Sequence, residues 1–227
     1  MDFDSFVLAA ATADLDDEAD AREHADAVEF RMDLAEDPLA QLDDYDGVLP
    51  LIATNRAEWE GGEADDAGRL DDLAAAAEHD LVEAVDVELN AVRHGGGSGV
   101  VDHARAHGAT AIASIHDFDG TPSADEMRDM LADAVENADV GKMAVTATDP
   151  ADVLTLLMLT REFSARGESV ATMAMGEPGR HSRAIAPVYG SRIGYAPVDP
   201  DEATAPGQYD LPTLRRLVED LRSKPEV

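Results

Sequence analysis

Asp139-Val140-Gly141-Lys142-Met143-Ala144-Val145-Thr146 is a short apolar run with one cation near its centre. It reads as a buried β-strand. Of the 17 basic residues in the chain only two are lysines, Lys142 and Lys224. Lys224 sits in a polar tail, where a solvated charge needs no explanation. An ammonium in apolar surroundings is costly unless paired, and it tends to lose its proton. A deprotonated lysine is a nucleophile suited to forming a Schiff base with a carbonyl. Taken alone, Lys142 reads equally as a strand-end residue whose head reaches water. The surrounding chain decides between the two.

Working outward, seven more runs resemble this one, over residues 6–11, 27–33, 47–54, 80–89, 110–115, 169–175 and 192–196. Between them lie helical patterns at 16–24, 38–43, 64–78, a stretch ending at 107, 123–136 and 150–163, and an amphipathic helix at 211–221 closes the chain. A glycine-containing segment, 176–191, holds a short helix. Thr121 or Ser123 is placed to cap the helix that follows, and Pro122 suits its N-terminus. Repeated strand–helix alternation implies parallel strands, and eight units at 227 residues fit an α/β chain folded as one (β/α)8 TIM barrel spanning 1–227. A doubly wound open sheet is the competitor, but no glycine-rich dinucleotide loop follows the first strand. A barrel also predicts that functional residues fall at the C-terminal ends of the strands.

Composition narrows the setting. A hydrophobic content of 44% is ample for a core, while 49 acidic against 17 basic residues give a formal charge of -32. The acids run along the whole length, as on a solvated surface. Such a chain repels nucleic acid and anionic membranes, so both are excluded as partners. Few lysines, abundant Asp and Ala and 4% aromatics resemble the proteins of salt-accumulating halophiles. There are no cysteines, so disulfides and thiolate chemistry are excluded. The acidic N-terminus lacks the basic region of a signal peptide, and no apolar run reaches the length of a membrane span. The expectation is a protein of a halophilic cytoplasm.

Polar residues fall where the barrel would need them. Glu29 and Arg31 are two apart on one strand and share a face, and Asp33 is expected on that face too. Arg56 and Glu60 follow the third strand, with Gly61-Gly62 as a tight turn. His116 ends the fifth, Arg183 follows the seventh, and Gln208 closes a loop after the eighth. His24, His79, His94, His103 and His107 lie in polar helical or loop segments and receive no role. Neither His181 nor His116 shows metal-ligand spacing. One lysine, one histidine, two carboxylates and three arginines suit a small, anionic, hydroxylated carbonyl compound. Several arginines near one lysine would also favour its neutral form by like-charge repulsion.

In these residues the chain resembles the type I 3-dehydroquinate dehydratases over nearly its whole length. The resemblance is carried by Glu29-Phe30-Arg31-Met32-Asp33, by Arg56-Ala57-Glu58-Trp59-Glu60-Gly61-Gly62, and by Ser114-Ile115-His116-Asp117-Phe118-Asp119-Gly120-Thr121-Pro122. The lysine strand, Ser182-Arg183 and Ala203-Thr204-Ala205-Pro206-Gly207-Gln208 complete it. The resemblance implies a barrel, a homodimer, no metal and no organic cofactor. It implies that Lys142 forms an imine with the C3 ketone of 3-dehydroquinate. His116 would then shuttle the proton from C2 to the departing C1 hydroxyl, with Glu60 orienting the imidazole. Arg183 would clamp the substrate carboxylate. Glu29, Arg31, Arg56 and Gln208 would hold the ring, and Thr204 and Ala205 would close over it. The family often carries Ser where Thr204 stands, which keeps a hydroxyl. Thr12 is the candidate for a polar contact from the first strand, while Met173 and Met175 read as barrel packing.

A barrel aldolase or transaldolase also uses a strand lysine. It would need a late phosphate loop, for which Gly176 to Gly179 is poorly suited. A non-catalytic binding or assembly module would have no need of the lysine, the histidine and its carboxylate together. The charge alone yields a prediction. At molar salt the Debye length falls to about 3 Å, which screens self-repulsion. The melting temperature should therefore fall as KCl is withdrawn, and one independent of KCl would contradict the halophilic reading.

Overall fold

The computed structural model describes residues 1–202 and 205–223. Eight strands run in parallel: β1 (Val7–Thr12), β2 (Ala27–Arg31), β3 (Leu51–Thr54), β4 (Val82–Glu88), β5 (Thr110–Asp117), β6 (Val140–Thr146), β7 (Val170–Met175) and β8 (Ile193–Pro197). Their spatial order is β7-β6-β5-β4-β3-β2-β1-β8, with β1 paired to both β2 and β8. The seam between β7 and β8 carries one parallel bridge, Val170 to Ser191. There the Arg192 N–H donates to the Val170 carbonyl at 2.8 Å, and the Ser191 hydroxyl oxygen accepts from the Thr172 N–H at 3.0 Å. A side-chain oxygen thus satisfies a buried donor that a full ladder would have paired. The result is a nearly closed (β/α)8 barrel, as the strand–helix alternation predicts.

The outer helices are α1 (Glu18–Ala21), α2 (Pro38–Asp44), α3 (Arg69–Ala76), α4 (Leu89–His94), α5 (Gly97–Ala106), α6 (Ala124–Asn137), α7 (Pro150–Ala165), α8 (Gly176–Gly179), α9 (Ser182–Tyr189) and α10 (Leu211–Arg222). Local chemistry fixes their starts. Ser123 caps α6 in a reciprocal capping box with Glu126, and Asp149 with Asp152 does the same for α7 ahead of Pro150. None of the described helices is long and apolar enough to cross a membrane.

Several elements depart from the sequence reading. β3 starts at Leu51, not Gly47, because the Val48 and Leu49 N–H groups donate to the buried Glu18 carboxylate instead of to a ladder. The helix expected from residue 64 starts at Arg69, because Ala64 is bridged to Ala57 in a loop under the barrel mouth. An additional helix, α4, follows β4 directly.

Alternation along the strands builds the interior. Ala27, Ile52, Ala84, Ile112, Val140 and Ile193 belong to one buried cluster inside the barrel, with Phe3 among them. Two residues further along the same strands stand Glu29, Thr54, Asp86, Ser114, Lys142 and Tyr195, all buried. One layer up, apolar filling gives way to polar groups, and there the cavity opens.

Candidate active site

At the C-terminal ends of the strands lies a cavity open to solvent. Glu29, Arg31, Arg56, Glu60, His116, Lys142, Arg183, Ala205 and Gln208 all line it, which brings together nearly every residue the sequence singled out. Thr204 lies outside the described residues. Thr12 does not line the cavity. Its hydroxyl donates to the Asp17 carboxylate at 2.8 Å, within the turn after β1.

Lys142 is neither isolated nor a snorkelling strand-end charge. Its Nζ lies 2.8 Å from Asp86 Oδ2 and 3.6 Å from Glu29 Oε1, above the Tyr195 ring at 4.2 Å from the centroid. Its immediate charged partners are thus carboxylates, rather than the arginines expected to repel it. Asp86 Oδ1 also accepts from Arg56 Nη2 at 2.7 Å, and Arg56 Nη1 donates to the Ser114 hydroxyl at 2.7 Å. Glu88 Oε1 lies 3.2 Å from Arg56, and Glu88 Oε2 pairs with Arg69 at 2.8 Å. Burial alone would raise the Asp86 carboxyl, but Arg56 and Lys142 overcome it and hold it far below the usual range. Burial likewise opposes the Arg56 charge, and Asp86, Glu88 and Glu60 more than offset it.

Glu60 ends a 3-10 turn, Glu58–Glu60, that starts at Ala57, whose N–H donates to Glu88. Gly61 follows at φ +82°, and a Cβ there would fall 2.5 Å from the Phe118 ring. At Gly62 a Cβ would fall 2.0 Å from the Arg56 carbonyl oxygen. The turn thus needs both glycines, and it delivers Glu60 Oε1 to within 2.8 Å of His116 Nδ1. Burial, with Glu88 and Asp86 adding and Arg56 opposing, pushes Glu60 up to about 8. Burial, then Arg56 and Lys142, push the imidazole well below its ordinary range. Both shifts resist separated charge on the pair. The imidazole is therefore neutral, and its protonation pattern follows Glu60. An ionised Glu60 accepts from Nδ1–H and leaves an Nε2 lone pair. A protonated Glu60 donates to Nδ1 and leaves Nε2–H.

The arginines divide by partner. Arg31 is held by Asp33 through Nε at 2.8 Å and Nη2 at 2.6 Å. Asp33 lies in a 3-10 turn (Met32–Leu34) rather than on β2, since the chain leaves the strand at Arg31. Arg183 has no carboxylate partner among the described residues. Its Nη2 donates to the Pro206 carbonyl at 3.4 Å and its buried Nε is unpartnered. Burial draws it down to about 10, still a cation at neutral pH. Gln208 Oε1 accepts from the Ala205 N–H at 3.3 Å, bracing the loop beside Arg183. Met173 and Met175 both pack in the barrel and line the cavity. The sequence reading missed Asp86, Glu88 and Tyr195. The signal was present in Asp86-Val87-Glu88, where two carboxylates share a strand face exactly as far apart as Glu29 and Arg31.

An ion-paired lysine and a histidine–carboxylate pair lie together at the mouth of a (β/α)8 barrel, an arrangement of the enzyme class. A family profile described as type I 3-dehydroquinase matches residues 6–224. A 3-dehydroquinate dehydratase of Haloarcula marismortui is 60% identical over 227 residues, 98% of this chain and 99% of that protein. One from Halobacterium salinarum is 54% identical over 98% of this chain and all of that protein. The crystal structure of 3-dehydroquinate dehydratase from Geobacillus kaustophilus superposes with a TM-score of 0.87 at 25% identity, covering 98% of this chain and 93% of that one. The chain belongs to the type I 3-dehydroquinase family. It is thus an enzyme of the hydro-lyase class, with relatives in halophilic archaea.

The charge network makes a stability prediction. Asp86→Ala would leave Lys142 and Arg56 buried without their shared partner, at a cost of about 3–5 kcal/mol. Denaturant titration in KCl measures it, and a loss below ~1 kcal/mol would show that the cations repair their pairing elsewhere.

Proposed function

We propose that this protein dehydrates 3-dehydroquinate to 3-dehydroshikimate through an imine on Lys142. The observation that carries the reading is a buried amine and a carboxylate-oriented imidazole on one cavity with a guanidinium, Arg183, that no described carboxylate neutralises. Arg183 receives the substrate carboxylate, for which its fork is well shaped. Arg31, Arg56, Glu29 and Gln208 hold the ring hydroxyls, with Ala205 on the same cavity wall. The aldolase or transaldolase reading loses its support with the family assignment.

Lys142 first gives up a proton. Glu29, at 3.6 Å, is the better acceptor, because Asp86 is held ionised by two cations. The amine adds to the C3 ketone, the proton held by Glu29 returns to the carbinolamine hydroxyl, and water leaves, forming a protonated imine. Asp86 remains its counter-ion throughout, so the charge on Nζ never stands alone. The imine withdraws electrons from C2, and His116 Nε2 removes a C2 proton to give an enamine. As Nε2 gains that proton, Nδ1–H passes toward Glu60, whose raised affinity for protons suits it to receive one. Reversal of the relay protonates the C1 hydroxyl, which departs as water. Hydrolysis of the conjugated imine releases the product and restores the lysine. The sum is one substrate giving one product and one water, and the chain's own groups supply every proton transfer. A type I relative from Clostridium difficile, 26% identical, is described with covalent modified comenic acid, which supports covalent chemistry in this cavity.

Borohydride reduction in the presence of 3-dehydroquinate should fix a reduced adduct on Lys142, mapped by peptide mass analysis. Turnover with an unmodified Lys142 would refute the imine. His116→Ala should still be trapped while dehydration falls by about 10²–10⁴-fold. Dehydration at the parent rate would remove His116 from the base role.

The pair also sets a pH dependence. The base form needs Glu60 ionised, so kcat/KM should rise with pH and level off above about 8. Below that, protonated Glu60 places the imidazole proton on Nε2 and the base is lost. Glu60→Gln should abolish this limb, and a parent profile flat from about pH 6 to 9 would contradict the relay.

A further inference from the structure

His103 and His107 have no part in the cavity, and the sequence reading assigns them none. The fold nonetheless brings them to Glu78. His103 lies in the last turn of α5 and His107 directly follows that helix, so the two share one face at a spacing of four residues. Glu78 follows the neighbouring α3. His103 Nε2 lies 3.0 Å from Glu78 Oε1, and the two imidazole centroids are 4.3 Å apart. One ligand atom from each of the three side chains lies within 4.8 Å of the others.

We propose that Glu78, His103 and His107 form a binding site for a borderline divalent transition-metal ion of the Zn²⁺ class. Two imidazoles and one carboxylate are a familiar three-ligand set for zinc, with a water completing a tetrahedron. At ordinary zinc bond lengths the ligand atoms of such a set stand about 3.4 Å apart. Rotations of exposed side chains close that gap. The imidazoles are also pre-oriented. His107 Nδ1 lies 2.9 Å from the His103 carbonyl oxygen, so Nδ1–H donates there and Nε2 carries the lone pair. That is the outer hydrogen bond that metal-bound histidines use. At His103 the metal takes the place of the proton shared with Glu78. Nitrogen donors select against Mg²⁺ and Ca²⁺, which favour all-oxygen sets.

The position assigns a purpose. α3 leads into β4 and α5 into β5, so the C-terminal ends of both helices lie at the base of the barrel, opposite the cavity. An ion there would tie together the two helices beside β4, the strand that carries Asp86 and Glu88. It would stabilise the fold and take no part in the chemistry.

The test uses the full-length, untagged protein in KCl. Isothermal titration with ZnCl2 should reveal one saturable equivalent and a rise in melting temperature that MgCl2 does not reproduce. His103→Ala and His107→Ala should each lose that equivalent and the Zn²⁺-dependent rise, with metal-free melting unchanged. CoCl2 should give the intense visible bands of a tetrahedral site in the parent and not in either variant. No saturable binding in the parent, binding that survives both substitutions, or a Co²⁺ spectrum like that of the free ion would each overturn the proposal.

Discussion

One carboxylate, Asp86, stands between two buried cations, 2.8 Å from Lys142 and 2.7 Å from Arg56. Three buried positive charges and three negative ones (Lys142, Arg56 and Arg69 against Asp86, Glu88 and Glu29) sit side by side around the C-terminal end of the barrel. Removing ions from water is expensive, and only near-complete mutual pairing makes such a cluster tolerable. Asp86 and Glu88 accept the guanidinium groups on one side and the Ala57 N–H on the other, so β4 fixes the loop that delivers Glu60. Lys142, Arg56 and Glu60 therefore share one foundation.

Neutralising those charges among themselves leaves Arg183 distinct. Arg31 has Asp33 and Arg56 has Asp86, while Arg183 has backbone carbonyl contact alone among described partners. In a chain with a formal charge of -32, capture of an anion depends on such a local exception. Molar salt assists by screening the acidic exterior within a few ångströms, while the buried guanidinium is screened far less. The acidic surface and the cationic hook thus coexist because they lie in different dielectric surroundings.

The eight parallel strands, their intervening helices and the position of Lys142 were legible from the sequence, because apolar runs and helical periodicity are local signals. Alternation alone put Glu29 with Arg31 on one face. It missed that Arg31 turns to Asp33, because the chain leaves the strand at Arg31 and a local signal cannot report where a strand stops. It also overlooked Asp86 and Glu88, which resemble any surface acids in a chain holding 49 of them.

By itself the sequence determined the architecture, the family and most of the charged side chains that line the cavity, since each depends on residue type and spacing along the chain. Only the tertiary structure decided their electrostatic state. Asp86 lies 56 residues upstream of Lys142, and Glu60 and His116 are likewise 56 residues apart. Such distances in sequence become 2.8 Å contacts only when parallel strands bring their inward rows into one layer. Burial raises Glu60 and lowers the imidazole of His116, while Arg56 and Lys142 hold Asp86 ionised against burial, because neighbouring charges act through a low dielectric where water is excluded.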